Sequence, residues 1–371
     1  MASETRGATD VLSRARTWLG TFDGSLIGLC VASVAVAFVA GLLQVSFGAY
    51  SMTILEAWQA VFDPKVLFSV QAWQSFFFGT ELPELPKRTL IVWNIRMPRV
   101  IVAVLAGMCL AVSGAIFQAV TRNELASPFI LGVSSGAGLT VLLTLVLFSS
   151  LAPFLPLFAA IGGSIAFLLV YMIAWKGGTS PVRLVLAGVI VNMVFTSLQR
   201  GLFFFADDLG VVQSALAWIT GSLTGVGWEE FRIAVIPTLA ATLLALAGAR
   251  QLNLLLLGEE TANSLGMSVE RVRFMLSAVA ILAASTAISV AGIIGFFGLV
   301  VPHIVRLIVG SDYRRLLIGC VFVGPALMVV ADVGARLALN PAQVPVGVVT
   351  GVVGGPYFLY LMRRQEQMGE I

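Results

Sequence analysis

The chain has 371 residues, of which 58% are hydrophobic and only 11% charged, with a mean hydropathy of +0.98. Soluble domains carry about 25% Asp, Glu, Lys and Arg, so these few charges cannot coat a water-facing shell and most of the surface must be solvated by lipid. A net charge of +3, from 22 basic and 19 acidic residues, leaves no basic domain to neutralise a run of phosphates, and nucleic acid is not an expected partner.

Residues 1–24 carry Arg6, Arg14 and Arg16 and no small-residue cleavage pattern follows, so they are expected to stay as a cytoplasmic segment rather than leave as a signal peptide. The apolar run 25–47 is the first predicted span. Further spans are predicted over 99–120, 128–149, 152–175, 182–205, 232–249, 271–291, 295–309, 316–337 and 344–362. With roughly 20 residues per crossing, about ten crossings use just over half the chain. An even number returns Arg363, Arg364 and the tail 365–371 to the cytoplasm. Arg122, Lys176, Arg183, Arg250, Arg271, Arg273, Arg314 and Arg315, in the short loops, fall on the same side, as the positive-inside bias requires. Ser127-Pro128 and Ser180-Pro181 each place a capping hydroxyl before a proline and are predicted helix starts.

Between the first two spans lies a long outer stretch, 49–97, in which Trp58, Trp73, Phe76, Phe77 and Phe78 favour the headgroup level of the membrane. The apolar piece 211–223 is too brief to cross and reads as a re-entrant or tilted helix. On the inside, 251–270 is the longest connection. Its Gly258-Glu259-Glu260-Thr261-Ala262-Asn263-Ser264-Leu265-Gly266 segment predicts a short exposed helix, with acids at its positive end and Gly266 at a left-handed stop. On chemistry alone it is either a solvated connector or a partner contact.

No phosphate-cradling GxxxxGK[ST] occurs, and the only lysines are Lys65, Lys87 and Lys176, so the chain has no P-loop route to ATP hydrolysis. Gly132-Val133-Ser134-Ser135-Gly136 matches the nucleophile-elbow pattern of hydrolases, but Ser134 opens an apolar run and His303 is the only histidine. Close helix packing by small residues is the better reading there. Cys30, Cys109 and Cys320 lie far apart inside apolar runs and read as small hydrophobes. Asp332 and Arg336, four apart, can pair on one helix face. Together with Arg96 and Arg99 in Trp93-Asn94-Ile95-Arg96-Met97-Pro98-Arg99, where Pro98 stands at a predicted helix entrance, Arg336 would complete a three-guanidinium rim. That rim is either an acceptor for carboxylates or a set of headgroup anchors.

Arg96-Met97-Pro98-Arg99, Ser113-Gly114-Ala115, Asn123-Glu124-Leu125-Ala126-Ser127-Pro128, the Leu131 to Gly136 run, Gly258-Glu259, Ser264-Leu265-Gly266, the Gly295 to His303 run, Ala331-Asp332 and the Pro345 to Thr350 run occur in this order. The set resembles the FecCD-type permease subunits of ABC importers for iron-chelate and cobalamin uptake, over about residues 25–364. Only 49–92 departs, being longer than usual. The resemblance implies an all-α integral membrane bundle of about ten helices, the type II importer permease fold, paired with a second copy or a paralogue around a central path. It also implies separate ATPase subunits inside that use the ATP, a substrate-binding protein outside, and no cofactor or metal held by this chain. By the same resemblance Arg96, Arg99 and Arg336 would meet glutamates of the binding protein. Gly258, Glu259, Glu260, Ser264, Leu265 and Gly266 would form the ATPase coupling segment, and Asn192, Pro345, Val346, Gly347 and Thr350 would line the path. The expected cargo is an iron-siderophore, with cobalamin or haem as alternatives. Two rival classes are an ion-coupled carrier using Asp332, Arg336 and Glu124, and a membrane hydrolase at Ser134.

Overall fold

A computed structural model describes residues 23–367 apart from 49, 51, 177, 206–208, 340 and 341. The segment with Arg6, Arg14 and Arg16 and the last four residues lie outside the described residues. Among the described residues every element is helical, save two isolated bridges, Trp175 with Thr179 and Leu339 with Ala342. Lipid offers no partner to a backbone N–H or C=O, so apolar runs of this length close their hydrogen bonds internally.

Asp23 caps α1 (Gly24–Ser46), accepting from the Leu26 N–H at 3.0 Å. That bond, the Ser25 hydroxyl and the Arg315 guanidinium hold the Asp23 carboxyl below the usual carboxylate range. The 49–97 stretch contains more structure than its composition suggests: α2 (Ile54–Val61), α3 (Pro64–Leu67) and α4 (Val70–Phe78). Thr53, Asp63 and Ser69 cap them, Thr53 in a reciprocal box with Glu56. Next, α5 (Lys87–Ile91) runs through a π turn, Val92–Arg96, straight into α6 (Met97–Thr121). The expectation that Pro98 opens a helix is therefore corrected. Pro98 has no N–H to give to Asn94 and its ring crowds that carbonyl, and the wider turn just before it relieves the clash.

Ser127-Pro128 is likewise corrected. Residues 128–132 form turns, and α7 (Val133–Leu147) starts only after Gly132 at φ +80°. A 3-10 turn, Ser149–Phe154, leads into α8 (Leu155–Ala174). Ser180 does open α9 (Pro181–Leu202), accepting from the Arg183 N–H at 3.3 Å. Then come α10 (Leu209–Thr220), α11 (Trp228–Ala247), α12 (Ala249–Leu256), α13 (Glu259–Ser264) and α14 (Val269–Ala291), followed by α15 (Phe297–Val309), α16 (Tyr313–Leu337) and α17 (Val346–Gln367). A helix stands at each of the ten predicted spans. Among the described residues seven helical runs are long and apolar enough to cross a bilayer, and α7, α15 and the Val346–Tyr360 part of α17 are shorter apolar segments. At 1.5 Å per residue α10 reaches only about 18 Å, too short to cross.

The bundle is built round α6, against which α11, α14, α15 and α16 pack. Contact this close needs missing side chains. A Cβ on Gly114 would lie 1.8 Å from the Gly298 carbonyl oxygen, and one on Gly107 would lie 2.5 Å from that of Gly324. The 132–136 run serves the same purpose between α7 and α8, where a Cβ on Gly136 would lie 2.3 Å from the Gly162 carbonyl oxygen. At the end of the bundle that carries 49–97, an aromatic stack fastens α4 to α11. Phe76 lies over Trp228 with ring centroids 4.5 Å apart, and Trp228 donates from Nε1 to the Trp93 carbonyl at 2.7 Å.

Candidate functional site

Two polar clusters stand at opposite ends of an otherwise apolar bundle, and each draws residues from elements far apart in the chain. At the 49–97 end, the π turn, α6 and α16 supply one arginine each. Arg99, 4% exposed, grips the fully buried Asp332 with both arms of its fork: Nε to Oδ2 at 2.8 Å and Nη2 to Oδ1 at 2.7 Å. Its Nη1 donates to Gln343 Oε1 at 2.8 Å, and Gln44 Nε2 donates to the same carboxylate. The expected Asp332–Arg336 pair is thus corrected: Arg99 reaches across from α6 and occupies both oxygens, a bidentate geometry that a guanidinium favours. Arg336 turns instead to the Gln44 and Phe47 carbonyls, at 2.7 and 2.5 Å. Arg96, 3% exposed, donates to the carbonyls of Val45, Ser46 and Tyr50 at 2.6, 3.2 and 2.5 Å. Two cations therefore satisfy carbonyls that the C-terminus of α1 leaves open.

All three arginines line one cavity of about 450 Å³, together with Tyr50, Asn94 and Gln343. Among the described residues no carboxylate lines it, and Asp332 behind Arg99 is the single counter-charge in hydrogen-bond contact. Three guanidiniums against one carboxylate give this cluster a net charge of +2, while Glu229 and Glu230 line the adjoining cavities. Most of their donors are engaged within the chain, chiefly by neutral oxygens, rather than standing free on a rim, and the buried Arg336 Nε has no hydrogen-bond partner among the described residues.

At the opposite end, α13 projects from the bundle. Gly258 precedes it at φ +100°. Ala262 is its buried contact, whereas Glu260, Ser264 and Gly266 are exposed and Leu265 is 60% exposed. Its stop is a Schellman motif: Met267 N–H donates to the Ala262 carbonyl at 3.0 Å, Gly266 N–H to that of Asn263 at 2.9 Å, and Gly266 holds φ +82°. Glu259 points back and pairs with Arg273 at 2.6 Å. Arg273 is a residue that sequence reasoning treated only as a marker of sidedness. Its spacing from Glu270, three residues along one helix face, was the available signal, and the pair is formed at 3.0 Å. Nearby, Arg306 joins Gln118 at 2.8 Å and Glu124 at 3.4 Å.

The residues expected along a path are not gathered into one place. Asn192 is half-buried on α9, which packs on α7 and α8, while α17 packs on α15 and α16. Gly347 belongs to a tight backbone knot. Its N–H donates to the Gly221 carbonyl at 3.0 Å, Ser222 N–H to that of Ala291 at 2.8 Å, and Ile293 N–H to that of Trp218 at 2.9 Å. Val346 is buried, Pro345 is half-buried, and the Thr350 hydroxyl donates to the Gly347 carbonyl at 3.1 Å. Both α9 and α17 expose apolar faces, Leu186, Ile190 and Met193 on one and Val352 and Val353 on the other.

These helices and their two polar ends define a class, the multi-span membrane permease. The profile of the FecCD transport family matches residues 34–364. The hemin transport system permease of Yersinia pestis is 42% identical over 282 residues, covering 74% of this chain and 84% of its own. An Fe(3+)-citrate import system permease of Bacillus subtilis is 35% identical over 331 residues, covering 89% of this chain and 92% of its own. A solved structure of an inward-facing metal-chelate type ABC transporter aligns with a TM-score of 0.76 at 26% identity, over 91% of this chain and 98% of that one. The chain belongs to the FecCD transport family.

Proposed function

We propose that the chain is the membrane-spanning permease subunit of an ABC importer that carries a metal chelate inward, an iron-siderophore first, with cobalamin or haem as the alternative cargo. The observation that carries this reading is α13, a short helix held away from the bundle with Leu265 exposed at its end and anchored at its start through Glu259. An apolar side chain so placed, with Leu257 also exposed just ahead of the same helix, suits a cleft on a partner. In this reading the partner is a pair of ATPase subunits in the cytoplasm, the 251–270 end and both termini face them, and the 49–97 end faces outward. ATP-driven closure of those subunits displaces α13 and rocks the bundle between outward-open and inward-open states. The chain itself makes and breaks no bonds.

On the outer side, the net positive cavity of Arg96, Arg99 and Arg336 suits acidic side chains of a substrate-binding protein. The exposed faces of α9 and α17 suit a second copy or a paralogue around the path, near Asn192 and the 345–350 stretch. Phe68 and Phe78, among the most exposed aromatics of the 49–97 stretch, suit the headgroup layer. An ion-coupled carrier fits less well, since Asp332 is locked by Arg99 and Glu124 lies at the other end.

Two measurements test the assignments. Leu265→Glu should abolish co-purification of the ATPase subunits from detergent, and retention of those subunits at parental yield would refute the coupling role of α13. Arg336→Gln keeps the Arg99–Asp332 pair and removes one positive charge from the cavity. It should weaken docking of the binding protein about tenfold and flatten its dependence on salt. Affinity and salt slope equal to those of the parent would remove Arg336 from the docking surface.

A further inference from the structure

At the foot of the bundle one side chain joins the consecutive helices α13 and α14 to the distant start of α9. Arg273 stands near the start of α14 and is 1% exposed. Its Nη2 donates to Glu259 Oε1 on α13 at 2.6 Å, and its Nη1 donates to Glu270 Oε1 at 3.0 Å. The same Nη1 reaches the carbonyl and hydroxyl of Thr179, two residues before α9 begins. Glu270 closes the ring, accepting from the Thr179 N–H and hydroxyl, both at 2.9 Å.

A guanidinium offers its donors in a rigid plane, so it can hold several directions at once, whereas an ammonium on a flexible stem cannot. Burial adds a penalty for letting go, because a charge deprived of its partners inside the protein is poorly solvated. Displacing Glu259 therefore either drags Arg273 and Thr179 along or leaves a buried guanidinium with one of its two carboxylates, Glu270. The foot of α14 leads on to its far end, where Ala291 and Ile293 enter the backbone knot with Trp218 and Ser222.

We propose that Arg273 is a positioning residue for transport: it makes α13 and the feet of α14 and α9 move as one body, so that displacement of α13 reaches the path-lining helix directly. The proposal rests on α13 being the coupling helix. It assigns no contact between Arg273 and the cargo or ATP.

The test uses the full complex of permease, ATPase subunits and binding protein in liposomes, and reads cargo imported per ATP hydrolysed. Arg273→Lys keeps the charge but loses the fork, and Thr179→Val removes a hydroxyl that both Arg273 and Glu270 use. Both variants should retain the ATPase subunits while import per ATP falls about tenfold for Arg273→Lys and by less for Thr179→Val. A purely structural role would lower the yield of complex and leave that ratio unchanged, which would overturn the proposal. An unchanged ratio in Arg273→Lys, with Leu265→Glu still detaching the ATPase subunits, sinks the Arg273 role alone. Retention of the ATPase subunits by Leu265→Glu sinks the coupling reading itself.

Discussion

Replacing Asp332 with alanine should cost about 3–5 kcal/mol of stability, the range for removing one member of a buried ion pair. Arg99 would keep its charge at 4% exposure, with Gln343 its remaining side-chain acceptor. Taking both charges away is a different experiment. Arg99→Met with Asp332→Leu removes the stranded cation as well as its partner, and substitutions of this kind are often neutral or stabilising. Thermal unfolding in detergent should therefore show a large fall for Asp332→Ala and recovery for the double variant. A single variant as stable as the parent would mean that water or lipid headgroups reach Arg99. If the double variant folds but no longer docks the binding protein, the pair has a role at the outer surface beyond holding α6 to α16.

Gly114→Ala should be nearly as damaging. The new Cβ would sit 1.8 Å from the Gly298 carbonyl oxygen, and because both groups are backbone no rotamer can turn aside. Overpacking in a tight core costs about 1–3 kcal/mol and occasionally more, and a backbone-to-backbone clash at this distance belongs at the upper end. Separation of α6 from α15 would show as loss of the monodisperse peak in size-exclusion chromatography. Gly28→Ala is the matched control. Nothing lies within 4 Å of its added Cβ, so it should be neutral or stabilising by up to about 1 kcal/mol. Equal behaviour of the two variants would contradict the close approach.

The spans were legible because lipid imposes one solution on a long apolar run, and Ser180-Pro181 and Gly266 marked a start and a stop through local backbone chemistry. The same reasoning failed at Pro98, where a π turn absorbs the proline, and at Ser127-Pro128, where the chain makes turns before Gly132 releases it into α7. The caps of α2, α3 and α4 were present as Thr53, Asp63 and Ser69, but the aromatic content of the stretch drew attention to membrane affinity instead. Asp332 illustrates a deeper limit. Spacing along one helix nominates Arg336, whereas the partner that forms the bond is Arg99, more than two hundred residues away. Arg273 was missed for a related reason: a basic residue near a helix start normally reads as solvated, and only the folded chain brings Thr179 and Glu259 onto it.

The two guanidiniums at the far tip of α1 bring lipid and water-facing events into register. Much of α1 faces away from the protein although one side packs on α16, and Arg96 and Arg336 clamp its final turn while Asp23 ties its first to Arg315. An acidic side chain docked there, as proposed above, would compete with peptide oxygens for those same hydrogens. Each guanidinium surrendered would leave that turn free to unwind, so the greasy outermost helix would loosen at the moment a visitor is captured.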